Sequence, residues 1–227
     1  MPASQADVLA ARLGYAPRDR ALFVVALTHR SAEGPNNERL EFLGDSVLNL
    51  LLSERLYREF PNASEGDLSR LRARLVSEAP LAEIALEMQL GELLALGSGE
   101  LKTGGFRRQS ILADAFEALV GALYLDGGLD AARNIIGPMF ETRIAGLPEP
   151  STLKDAKTRL QEHLQANARS LPVYAVKRTS GEPHAQIFVV TCAVAHASLE
   201  TEGEGPSRRR AEQAAAEAAL RALGLYV

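Results

Sequence analysis

The chain has 227 residues, 46% of them hydrophobic and 24% charged, with 25 Lys and Arg against 29 Asp and Glu and a net charge of −4. That length suits two domains, the balance is that of a folded globular protein, and no apolar run reaches bilayer length without charges. The single cysteine, Cys192, excludes an internal disulfide and a cysteine-based zinc site, and with no signal-peptide pattern at the N-terminus a cytoplasmic location and no membrane partner are expected.

From Ala3 to about Ala145 apolar residues recur at three- and four-residue steps, which predicts helices over 4–13, 18–29, 37–60, 65–78, 80–90, 110–126 and 129–145. Ser64-Glu-Gly-Asp67 has capping-box spacing ahead of the fourth. The glycine-rich, basic stretch from Gly97 to Arg108 breaks the periodicity and reads as a loop. Two prolines and a glycine between Gly146 and Thr152 read as a linker. The expected division is a helical domain over 1–145, a linker over 146–153 and a second domain over 154–227. In that second domain an amphipathic helix over 155–168 precedes alternating segments at 173–178, 186–194 and 197–202, with a turn at Ser180–Pro183 between the first two. An alanine-rich helix over 208–223, N-capped by Ser207, closes an αβββα order. Charge divides with the domains: residues 1–150 carry a net −6 and residues 151–227 a net +2.

The central feature is Asn37-Glu-Arg-Leu-Glu-Phe-Leu-Gly-Asp-Ser-Val-Leu48. Glu38, Glu41 and Asp45 stand at i, i+3 and i+7 and so share one face of a helix whose other residues are almost all apolar. Acids on an interior helix repel one another and are costly to desolvate unless something positive sits among them. Gly44 costs about 1 kcal/mol relative to alanine in mid-helix, a cost that close approach of another helix would offset. Asp114 and Glu117 form a second i, i+3 pair, again on an apolar helix. Two such helices can hold a divalent ion, and all-oxygen ligation favours Mg2+, with Mn2+ as substitute, over zinc or copper. Either pair taken alone also suits a solvated face or a partner for Arg39 or Arg55, and spacing does not specify the reaction. A di-iron carboxylate bundle lacks its Glu-x-x-His ligands here.

The stretch from Asn37 to Leu48 closely resembles the ribonuclease III motif, and the likeness continues through Glu65–Arg70, Gly99–Arg108, Ile111–Glu117 and Lys157–Glu162. The resemblance implies an N-terminal all-α endonuclease domain followed by an α+β double-stranded-RNA-binding domain. It implies Glu41, Asp45, Asp114 and Glu117 as ligands of catalytic Mg2+. Asp45 and Glu117, with Glu38 and Glu65 outside the innermost shell, would form the cutting site. It further implies a homodimer with one active centre for each RNA strand, in which Phe42 plugs into the partner subunit. Lys102, Arg107 and Arg108 would bring positive charge beside the cleft.

In the second domain, Ser207-Arg-Arg-Arg210 places three guanidinium groups at a helix N-terminus, where free N–H groups and the dipole also favour phosphate. A triple arginine can equally be a solvated face, but the capped position favours phosphate. By the same family analogy Gln161, Glu162 and Gln165 face one RNA minor groove and His184 reaches the next. Arg208, Arg209 and Arg210 stand where the family commonly has lysines. Charge is kept, while contact geometry differs.

The expected activity is metal-dependent hydrolysis of both strands of an RNA duplex to 5′-phosphate and 3′-hydroxyl ends with short 3′ overhangs, in ribosomal and messenger RNA processing. No protein nucleophile, catalytic histidine or organic cofactor is expected. Two alternatives are a non-cleaving double-stranded-RNA-binding protein, which the full carboxylate set argues against, and a helical phosphohydrolase of small esters, which the second domain argues against.

Overall fold

The helix α7 (Gln109–Ile136) is apolar on nearly every side, and a helix of that kind is stable only when surrounded. Every residue from 111 to 123 is buried except Asp114 and Glu117, which are half-buried. The computed structural model describes residues 4–148, 155–182 and 186–225. It forms two compact units, residues 1–148 and 149–227.

In the first unit, α1 (Gln5–Leu13), α2 (Arg20–Ala26), α3 (Glu38–Glu59), α4 (Glu65–Leu75) and α5 (Glu78–Glu87) assemble with α7 at the centre. Capping boxes start α1 and α4. Ser4 and Ser64 accept N–H bonds from Asp7 and Asp67, whose carboxylates accept in return from the backbone N–H of each cap. The closest approach is α3 across α7. A Cβ added to Gly44 would lie 1.7 Å from the Glu117 carbonyl oxygen, and one on Gly121 would lie 2.3 Å from that of Leu40. Only hydrogen fits on either helix there. Leu40, Ala118 and Ala122 fill the space around the crossing with Ala26 of α2, backed by Leu22 and Val25. The expected compensation for Gly44 is therefore present.

Two expectations change. The helices expected over 110–126 and 129–145 do part at Gly128, whose φ 78° and ψ −175° are non-helical within Gln109–Ile136, but the second does not run unbroken to 145. The break falls at Gly137–Phe140, a 3-10 turn before α8 (Glu141–Ala145), because Pro138 lacks the N–H that would continue the helix. The stretch Gly97–Arg108 is not simply a loop. It contains α6 (Ser98–Lys102) and a 3-10 turn over Gly105–Arg107, with Gly104 at φ 76° reversing the chain between them.

The second unit has α9 (Ala156–Ala166), an antiparallel sheet β1 (Val173–Ser180), β2 (Ile187–Val194), β3 (Leu199–Gly205) in that order, and α10 (Arg208–Ala222). The third strand starts later and runs further than the 197–202 expected. Ala195–Ala197 forms a 3-10 turn, and Gly203 and Gly205 are strand residues because α10 packs directly on them. A Cβ on Gly203 would lie 2.0 Å from the Ala215 nitrogen. Leu160 and Leu164 of α9, Cys192 and Val194 of β2, and Ala215, Ala216, Ala219 and Leu220 of α10 form the core. Val176 stays 43% exposed where a bulge interrupts the β1–β2 register. Among the described residues no helix is long and apolar enough to cross a membrane.

Gly44→Ala should lower the unfolding free energy by about 3 kcal/mol, since backbone faces backbone and no side chain can yield. Gly99→Ala, with open space around it, should change it by less than about 0.5 kcal/mol; urea denaturation of both variants measures the difference.

Candidate metal centre and nucleic-acid interface

The crossing of α3 and α7 brings together acids that are 73 and 76 residues apart. Carboxylate oxygens of Glu41, Asp114 and Glu117 all lie within 4.8 Å of one another, each residue half-buried. Burial pushes the Glu117 carboxyl up to about 8, helped by repulsion from Asp45, Glu41 and Asp114. Glu41 is raised first by burial and then by Asp114 and Glu38, with Arg30 opposing. Asp114 is raised by burial, against the pull of His29 and Arg30. Three converging oxygen donors whose ionised forms repel each other suit a hard divalent cation.

The remaining acids of the expected set are arranged differently. Asp45 is exposed at the rim, where its Oδ1 accepts from Asn49 Nδ2 at 2.7 Å, although its charge still acts on Glu117. Glu38 is exposed and leans to Arg30 at 3.7 Å. Glu65, exposed at the start of α4, accepts from the Ser69 hydroxyl at 2.8 Å. All three stand outside the converging trio. The sequence places Glu38, Glu41 and Asp45 on one face, but burial separates them: only Glu41 lies deep enough to share a ligand position with α7.

Three residues with no role in the sequence reading border the cluster. His29, Arg30 and Asn37 line a polar cavity of about 210 Å3 with Glu38, Glu41 and Asp114. Asn37, which precedes α3, is 2% exposed and makes no side-chain cap bond to it. A lone histidine between apolar segments gave no periodic signal. A larger cavity of about 250 Å3 between α3 and the Gly137–Ile144 segment, floored by Leu48, Leu52 and Phe140, contains none of these acids.

Phe42 is 79% exposed on α3, followed on the same side by the exposed Leu50 and Tyr57. In the 98–108 segment Lys102 is exposed, Arg107 stacks over Phe106 with 5.1 Å to the ring centroid, and Arg108 is held by Glu100 at 2.9 Å. On α9, Gln161, Glu162 and Gln165 are exposed and share a face. At the start of α10 the Ser207 hydroxyl accepts the Arg210 N–H at 3.3 Å, confirming the cap. Arg208 is bound to Glu212 at 2.9 Å, which also binds Lys157, while Arg209 and Arg210 extend from the exposed first turn. His184 lies outside the described residues.

Residues 19–143 match the family described as Ribonuclease-III-like, and residues 156–223 match the double-stranded RNA binding motif. Ribonuclease 3 of Ectopseudomonas mendocina is 56% identical over 94% of this chain and 93% of that protein. Ribonuclease 3 of Vibrio cholerae is 53% identical over 95% of this chain and 96% of that one. The solved nuclease domain of ribonuclease III from Campylobacter jejuni superposes with a TM-score of 0.58 at 42% identity, covering 62% of this chain and 97% of that domain. A second structure from the same organism gives 0.58 at 43% identity, covering 60% and 96%; its subject is flexibility in a region involved in dimer formation. The fold and these likenesses define an endoribonuclease with a double-stranded-RNA-binding motif. The chain belongs to the ribonuclease III family.

The raised carboxyls give a pH signature in chelator. Glu117 binds its proton more tightly folded, near 8, than unfolded, near 4.5, so its contribution is fully present below about pH 4.5 and lost as pH rises through 8. Glu117→Gln has no such loss. In EDTA above about pH 8 the variant should be more stable than the parent, on the order of 1–3 kcal/mol, with the advantage vanishing in acid. Calorimetric melting across pH, with and without Mg2+, is the measurement.

Proposed function

We propose that this chain cuts both strands of duplex RNA by Mg2+-dependent hydrolysis, leaving 5′-phosphate and 3′-hydroxyl ends with short 3′ overhangs, and acts in the cytoplasm on ribosomal and messenger RNA precursors. The single observation that carries the reading is the convergence of Glu41, Asp114 and Glu117 carboxylates within 4.8 Å, in a chain 56% identical to a Ribonuclease 3 along nearly its whole length.

The division of labour follows from position. Glu41, Asp114 and Glu117 hold the ion directly, and Asp45 at the rim completes the set once it leaves Asn49. A divalent cation bound there supplies charge stabilisation at the phosphoryl group and a water of increased nucleophilicity. Glu38 and Glu65, outside the trio, border the phosphodiester path and orient water or ribose. The exposed Lys102 and Arg107, with Arg108 braced by Glu100, face backbone phosphates.

RNA grip rests on the second domain. Arg209 and Arg210 project from the first turn of α10, where the uncompensated N–H groups also favour an anion. Arg208 and Ser207 are engaged locally, so they set the turn as much as they touch RNA. Gln161, Glu162 and Gln165 lie along α9 as a face for the minor groove, which A-form RNA presents wide and shallow, and contact with a further minor groove is assigned to His184 by family analogy.

The exposed aliphatic and aromatic side of α3 supports a homodimer. Phe42, Leu50 and Tyr57 are all exposed on one helix, and apolar side chains grouped in that way suit an interaction surface. Two copies joined through it give two centres, one for each strand of the duplex.

Glu117→Gln is expected to bind a long RNA duplex with parental affinity in gel-shift assays while cleavage in Mg2+ falls by at least about a thousandfold; parental cleavage would remove the metal assignment. Phe42→Glu should shift the chain from dimer to monomer in sedimentation and reduce double-strand cutting, whereas an active, strictly monomeric parent would overturn the two-centre arrangement.

A further inference from the structure

The carboxylate trio has a second layer of polar groups on its α2–α3 side. His29 is 8% exposed and Asn37 is 2% exposed, both lining the 210 Å3 cavity shared with Glu41 and Asp114. Asn37 Nδ2 is buried and has no hydrogen-bond partner among the described residues. Leaving a buried amide donor unpaired costs about 1–3 kcal/mol, and such a group needs a reason. A space of this volume with polar walls admits several waters.

The orientation of His29 follows from its neighbours. The Ser31 backbone N–H donates to His29 Nδ1 at 3.2 Å, and Ser31 Oγ lies 2.8 Å from the same nitrogen. Ser31 Oγ itself accepts the Gly97 N–H at 2.9 Å, which leaves its proton to donate to Nδ1. With Nδ1 the acceptor, the ring proton is assigned to Nε2, on a residue that lines the cavity. The backbone around it is fixed as well. The His29 N–H donates to Ala95 O at 3.0 Å, and the Ala95 N–H donates to Leu27 O at 2.9 Å. Asn37 is anchored through the backbone, donating to Thr28 O at 2.9 Å and accepting the Glu41 N–H at 2.8 Å.

We propose that His29 and Asn37 are positioning residues of the metal centre: the His29 Nε2–H and the Asn37 Nδ2 donate, directly or through cavity water, to the outward oxygens of Asp114 and Glu41, holding each carboxylate with its other oxygen toward the ion. A carboxylate ligand with one oxygen on a metal keeps lone pairs on the other, and donors aimed at those set its rotamer. Such donors must be rigid before the ion arrives, and both residues are pinned by backbone bonds independent of the carboxylates. Glu117 is not among the residues lining that cavity, so this layer acts on two of the three ligands.

The proposal rests on the metal reading given above, and the test separates the two. Mn2+ binding to the intact chain without RNA, by electron paramagnetic resonance and calorimetry, is compared for the parent, Glu117→Gln, His29→Leu, His29→Gln and Asn37→Leu. Steady-state cleavage of a duplex in Mg2+ is measured alongside. His29→Leu and Asn37→Leu should each bind Mn2+ roughly 10- to 100-fold more weakly, with kcat reduced and KM for RNA unchanged. His29→Gln, whose amide nitrogen reaches the position of Nε2, should recover most of the loss. Asn37→Leu removes an unpaired amide and should melt no lower than the parent, so it remains decisive if His29→Leu fails to fold. Parental Mn2+ affinity in folded Asn37→Leu or folded His29→Leu, or a His29→Gln no better than His29→Leu, overturns the proposal. If the parent binds no Mn2+, or Glu117→Gln binds it equally well, the metal reading itself fails.

Discussion

Everything distinctive about the first domain depends on two helices touching backbone to backbone. With hydrogen at positions 44 and 121, α3 and α7 approach until a Cβ at either position would overlap a carbonyl of the other helix. That distance is what allows Glu41 to meet Asp114 and Glu117, since side chains of two or three carbons have little reach. The surrounding residues, Leu40, Ala118, Ala122 and Ala26, keep the crossing dry. The carboxylates pay for this proximity in ionisation: Glu117 is held near 8 by burial and by its acidic neighbours. The fold thus stores repulsion at one point of an otherwise apolar interface, which a divalent cation would relieve.

The sequence disclosed the main elements because their signals are local. Helical periodicity located α3 and most of α7, and the Ser64–Asp67 spacing marked the start of α4, whose capping box forms as expected. Gly44 in mid-helix announced a close neighbour without saying which. What escaped was set by tertiary contact. Gly203 and Gly205 read as loop, yet they are strand residues on which α10 lies. The acids were legible as a set on one helical face, but not in depth. Spacing treats Glu38, Glu41 and Asp45 alike, and only the α7 contact distinguishes the middle one. His29 and Asn37 gave no pattern at all, since their place beside the cluster is fixed by backbone bonds to Ala95 and Thr28.

Charge is distributed to match. The excess of acid lies in the helical half, where the carboxylates converge, while the second half is mildly basic and concentrates arginine at the start of α10. Glu200, Glu202 and Glu204 point outward from β3, with Lys177 paired to Glu202. They lie on the sheet face opposite the helices, so acid collects on one face of the domain and the arginines at the start of α10 lie away from it. A weak net charge therefore conceals a strongly directional one.

The helix α3 carries acids toward α7 on one side and Phe42, Leu50 and Tyr57 toward solvent on another. Because every residue of a helix is turned about 100° from the last, inserting or deleting a single residue inside this segment rotates both surfaces together. Glu41 would leave its counterparts on α7 in the same stroke that moved the aromatic side away. Point substitutions can adjust one surface at a time, but length cannot. The 22 residues of this helix are thus locked in phase, and divergence in chain length must be absorbed in the connections on either side of it.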